Sequence, residues 1–137
     1  MAFWLLKSEP DVFGWSHLLA KGAVGEEWSG VRNYQARNNM RAMQLGDLAF
    51  FYHSNIGKEV VGIMEVTRTS APDSTTDDPR WDCVMVQAKQ PFKRAVTLDD
   101  IKAVPELADM VLVKNSRLSV QPVAAAEWAL ICRMGGV

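Results

Sequence analysis

Apolar residues in this chain come as short runs closed off by turn residues, and each run predicts an element. "AFWLLK" is continuously apolar until Lys7 and stops at "SEPD", which predicts a short buried strand. Ser8 and Asp11 resemble a capping box with Pro10 in the first turn, so a helix is expected from there to about Lys21, with Val12, Trp15, Leu18 and Leu19 on its inner face. "KGAVGEE" reads as a loop. A second helix is expected from about Tyr34 to Met43, because Ala36, Met40 and Met43 share one face while Asn33, Arg37 and Arg41 share another.

"DLAFFYHS" is apolar on both faces and "EVVGIMEVTRT" begins apolar and then alternates; "NIGK" between them is a hairpin signal. Residues 71–80 form a polar, acidic loop. "WDCVMVQAKQPFKRAV" predicts one long strand with a bend or edge position at Pro91. "TLDDIKAV" opens like a helix capped by Thr97, "PELADMVLVKN" suits a second short helix, and "SRLSVQPV" is extended. "PVAAAEWALICRM" reads as a closing helix with Gly135 after its end. Together these predict one α+β domain over residues 1–137: a curved mixed or antiparallel sheet of four to six strands, flanked by short helices and closed or half-closed into a small barrel.

Composition changes this picture little. Apolar residues make up 48% of the chain, enough for a core, and the net charge of −1 argues against a globally basic nucleic-acid binder. Cys83 and Cys132 stand far apart without metal-ligand spacing, so neither a zinc site nor a disulfide scaffold is expected, and a reducing, cytoplasmic setting fits. The apolar run before Lys7 is too short for a secretory segment or a membrane span, and a monomer is the simplest expectation.

The catalytic inventory is thin. Of the two histidines, His17 falls mid-helix and reads as a surface residue, whereas His53 ends a buried strand between Tyr52 and Ser54. No nucleophile elbow, phosphate loop or metal-ligand spacing occurs, and no cofactor is expected. A nucleotide-processing enzyme using His53, with Ser8, Ser54 or Tyr52 nearby, remains one alternative.

Tryptophan and charge placement are more informative. Trp4, Trp15 and Trp128 fall within apolar patterns, but Trp28 and Trp81 lie in "GEEWSGVRN" and "DDPRWDC", where loops enter elements. Such a residue can lid the core, or two can face each other across a pocket and sandwich a flat base, at about 1–3 kcal/mol per stacked base. From Trp28 to Lys58 four basic residues stand against Asp47 alone, and from Ser70 to Asp82 four Asp stand against Arg80 alone. The chain is thus polarised despite its small net charge. A solvated helix face explains the basic stretch equally well. "KNSRLSVQPV" adds Arg117 and Ser119, either as a turn and edge strand or as a phosphate clamp.

Five blocks in this order, "FWLLKSEPDVFGW", "WSGVRNYQARNNMRAMQLGDLAFFYHS", "VVGIMEV", "DDPRWDCVMVQ" and "LVKNSRLSVQPV", resemble the EVE domain, a PUA-like family related to the YTH domains that read methylated adenine in RNA. The resemblance covers essentially the whole chain. It implies a non-catalytic reader of a modified nucleobase, such as a modified cytosine or adenine in DNA or RNA, flipped into an aromatic cage. Carried over residue by residue, it implies Trp28 and Trp81 as cage walls, Lys7 and Ser8 at the pocket, Ser29 and Asn33 as polar edges, and Tyr52, His53 and Ser54 as floor. Arg32, Arg37, Arg117 and Ser119 would meet the backbone. A general RNA-binding domain without a cage is the other alternative.

Overall fold

The computed structural model describes residues 1–137. Six strands form one sheet in the order β2-β5-β4-β3-β1-β6. Strand β1 (Phe3–Ser8) lies inside it, parallel to β3 (Leu48–His53) and antiparallel to β6 (Val120–Val123). The long strands β4 (Glu59–Pro72) and β5 (Asp82–Thr97) continue as an antiparallel meander, and the two-residue β2 (Glu26–Glu27) edges β5. Register shifts along β4 and β5 bend the pair, including where Gly62 meets Pro91. The expected barrel does not close: β2 and β6 end the order. β6 contains Pro122, which lacks an N–H for a further strand.

Apolar residues cover both faces of the sheet, which explains the continuous apolar runs. Side chains alternate along a strand, so Trp4 and Leu6 enter one core cluster and Leu5 the other. The first cluster seats α2 (Trp15–Lys21) and α3 (Tyr34–Ala42), with Phe51 edge-on to both Trp15 and Trp28. The second seats α6 (Ala125–Met134), whose Trp128 stacks on Phe50 at 3.9 Å. Ala36, Met40 and Met43 are buried as their spacing predicts. Short α4 (Leu98–Lys102), capped by Thr97, and α5 (Val111–Lys114) lie between β5 and β6 in the chain. No helix is long and apolar enough to cross a membrane.

The first predicted helix is two pieces, α1 (Pro10–Phe13) and α2, separated at Gly14. Ser8 is not a cap: its hydroxyl donates to the Phe13 carbonyl at 2.6 Å. Gly14 is extended and its N–H donates to Nδ1 of His17 at 2.7 Å. His17 is therefore a capping residue as well as an exposed one. The break also turns Val12 outward, to 72% exposure, and Leu19 is exposed too, so only Trp15 and Leu18 keep the predicted inner face.

Candidate functional site

Strand β1 ends where the chain turns into α1, and its last residues point into a cavity of about 460 Å³. That size falls within the range of about 300–1,000 Å³ typical of small-molecule sites. Phe13, Trp28, Val12 and Val31 are its apolar lining; Lys7, Ser8, Ser29 and Ser119 bring amino and hydroxyl groups, and Glu26, Glu27 and Arg32 also line it. Ser119 is held there because its carbonyl accepts the Lys7 N–H at 2.9 Å. The exposure of Val12, anomalous for a core helix, belongs to its place on this lining.

Trp28 is a wall of the cavity and a core residue together. Its N–H donates to the Val84 carbonyl, and its ring meets Phe13 and Phe51 edge-on at 6.3 and 5.4 Å. At 7% exposure only a small part of it is open. Trp81 does not line this cavity. It stacks on Tyr34 at 5.0 Å, with the Arg32 guanidinium 5.5 Å from its ring centre. The expected pair of facing tryptophans is therefore not assembled; Phe13 is the second aromatic residue at the cavity.

The 73–82 loop is fastened to the segment before and along α3. Asp73 is buried; its carboxylate accepts from the Gly30 N–H at 2.9 Å, from Arg32 at 3.0 Å and from the Thr75 N–H and hydroxyl. Burial alone would raise its pKa, but these hydrogen bonds outweigh it and hold the carboxyl well below its usual range. Arg37 donates to the Arg80 carbonyl at 2.9 Å and to Asn38, and Arg41 pairs with Asp82. Glu27, on the cavity lining, accepts from the Ser74 hydroxyl and N–H, and the hydroxyl bond is the main cause of its lowered pKa. The acidic loop thus answers the basic stretch in part: Asp73 and Asp82 pair with Arg32 and Arg41, and Arg37 is held by a loop carbonyl.

Other expected site residues fall elsewhere. Asn33 caps α3, its side-chain oxygen accepting the Ala36 N–H at 2.9 Å, and is not on the lining. His53 accepts the Trp15 N–H at Nε2, 3.1 Å away, and burial lowers its pKa. This fixes the start of α2; His53 is not itself on the cavity lining, although its strand partner Ser8 is. Tyr52 and Ser54 line a second cavity of about 230 Å³ that shares Lys7 with the first. Burial pushes the Tyr52 phenol up to about 12, so it stays a neutral donor. Lys7 itself donates to the Ser116 carbonyl at 2.7 Å and has its pKa lowered by burial. Arg117 is exposed.

Val12, Phe13 and Asp73 were not singled out as site residues in the sequence. The first two looked like part of one helix, and Asp73 like one acid among several in a solvated loop.

Glu27, Asp73 and Cys83 bring potential ligand atoms within 4.8 Å of one another. Arg32 and Arg68 already pair with these carboxylates, and burial pushes the Cys83 thiol up to about 12, so the trio is a poor cation site.

A mixed sheet with helices on both faces and a polar-rimmed cavity at the end of β1 defines a PUA-like domain. The EVE domain family profile matches residues 2–134, and the chain belongs to that family. It is 37% identical to mouse thymocyte nuclear protein 1 over 94% of this chain and 71% of that protein. A crystal structure of a protein from Agrobacterium tumefaciens superposes with a TM-score of 0.98 at 56% identity, covering 100% of this chain and 94% of that one. The human THYN1 protein, solved in complex with 5-methylcytosine-containing DNA, superposes with a TM-score of 0.91 at 33% identity, covering 100% and 99%. A YTH domain from Zygosaccharomyces rouxii shares the fold at a TM-score of 0.61 and 18% identity, over 99% of this chain and 85% of that one.

Proposed function

We propose that this protein is a non-catalytic module that binds nucleic acid and reads a modified nucleobase, taking the base into the cavity beside Trp28. The observation that carries this reading is the cavity's composition: the aromatic and aliphatic side chains of Val12, Phe13, Trp28 and Val31 together with the amino and hydroxyl groups of Lys7, Ser8, Ser29 and Ser119, with Glu26, Glu27 and Arg32 also on the lining. The relation to human THYN1 supports 5-methylcytosine in DNA as the base to test. Lys7 spends one N–H on Ser116 and keeps two donors for a base carbonyl or ring nitrogen. Val12, Phe13, Trp28 and Val31 offer apolar contact to an added methyl group.

A single methyl in an apolar pocket changes binding by about 1–3 kcal/mol, so discrimination is moderate and backbone contacts supply the remaining affinity. The reading without catalysis is supported by His53, whose Nε2 is committed to the Trp15 N–H. The test is titration of oligonucleotides that differ only in one 5-methylcytosine. Tighter binding of the modified strand, lost on filling the cavity through Ser29→Trp, supports the reading; equal affinities contradict it.

A further inference from the structure

The arginines nearest the cavity are engaged. Arg32, Arg37 and Arg41 each spend their guanidinium on the 73–82 loop or its flank, through Asp73, the Arg80 carbonyl and Asp82. A phosphate reaching them must displace a partner already in place. The opposite side of Lys7 is different. There the second cavity gathers Lys7 and Lys58 with Tyr52, Ser54, Asn55 and Ser116, and no carboxylate lines it. Lys58 forms no salt bridge, and neither does the exposed Arg117, which sits between Ser116 of the second cavity and Ser119 of the first. The hairpin that presents these groups is specially shaped: Asn55 and Lys58 both adopt left-handed backbone, φ 69° and 49°. That conformation is uncommon for residues other than glycine.

We propose that this second cavity holds the backbone phosphate of a nucleotide flanking the one whose base enters the first cavity, with Lys7 and Lys58 as its cations and Ser54, Asn55 and Tyr52 as neutral donors. The inference rests on the base-reading proposal for its register, but its own content is which face the strand follows. Lys7 is the shared element: it lines both cavities, so a base in one and a phosphate in the other would sit on either side of the same amino group. The strand then runs across the β3–β4 hairpin and Arg117, away from α3 and the acidic loop.

The test is the salt dependence of binding to an unmodified single-stranded oligonucleotide, for the wild type, Lys58→Gln, Arg117→Gln and an Arg37→Gln/Arg41→Gln double variant. Each lost phosphate contact should lower the slope of log K against log salt by about 0.7. The expected result is a lower slope for Lys58→Gln and Arg117→Gln, equal on modified and unmodified strands, with the double variant unchanged. The opposite pattern would place the backbone on α3 and overturn the inference. Competition of strand binding by millimolar inorganic phosphate, lost in Lys58→Gln, would put the free anion and a strand phosphate in the same site and support the inference. Because the slopes are read on unmodified strand, equal affinity for modified and unmodified bases would defeat the base-reading proposal alone.

Discussion

Arg32 donates to Asp73 at 3.0 Å, and the same carboxylate oxygen accepts the Gly30 N–H at 2.9 Å. Residues 28–32, which form one wall of the main cavity, are thereby tied to the end of β4. The wall's position depends on an acid 41 residues from Arg32 in sequence. Asp73→Asn keeps the shape and removes the charge, so it should cost about 2 kcal/mol, the loss of charge-assisted hydrogen bonds. Urea unfolding measures this, and an unchanged midpoint would show that the wall is held by packing alone.

Gly62 is required by Trp15. A Cβ at Gly62 would lie 2.5 Å from the Trp15 ring, and the ring is wedged between β4 and Phe51. Gly62→Ala should therefore destabilise by about 1–3 kcal/mol, as overpacking does. It should also loosen α2, seen as faster amide hydrogen exchange at Trp15 and Leu18. Wild-type exchange rates there would contradict the wedge.

The sequence made the core legible and the site only partly so. Short apolar runs, continuous in β1 and β3 and partly alternating in β4, placed the main strands, and the spacing of Ala36, Met40 and Met43 oriented α3, because burial dictates those patterns. The cavity was half visible: Lys7, Ser8, Trp28 and Ser29, which the family resemblance implied as pocket residues, line it, and so do Arg32 and Ser119, which it implied as backbone contacts. Trp81, Asn33 and His53 lie off the lining. For Trp81 and His53 the partners, Tyr34 and the Trp15 N–H, depend on loop paths that no periodicity encodes, whereas Asn33 is taken up as the local cap of α3 through the Ala36 N–H. The break at Gly14, which frees Val12 and Phe13 for the cavity, was hidden by a helical pattern that runs through it.

His53 links stability to pH. Its Nε2 accepts the Trp15 N–H, which only the neutral ring can do, and burial lowers its pKa below the usual 6.5 against the opposing effect of Glu59. The folded state then binds protons less readily than the unfolded state. The contribution is complete above about 6.5 and is lost as pH falls from there through the lowered value. Unfolding midpoints should fall between neutral pH and pH 5 in the wild type, and less so in His53→Gln. Parallel profiles would remove His53 from the account.

Trp28 carries core and cavity together, so its substitutions should separate. Trp28→Ala empties a space against Phe13, Phe51 and the α3 cluster and should cost about 3–5 kcal/mol. Trp28→Phe keeps apolar contact and should remain folded while binding a modified strand more weakly. A Trp28→Phe protein that binds like the wild type would show that the indole is structural only.

The most direct measurement of the central claim compares the wild-type protein's affinity for two oligonucleotides identical except for one 5-methylcytosine in place of cytosine, at fixed salt. The cavity beside Trp28 predicts tighter binding of the methylated strand by roughly 10-fold or more, the effect of about 1–3 kcal/mol from one methyl in an apolar pocket. Indistinguishable affinities, with Ser29→Trp binding both strands as the wild type does, would contradict it.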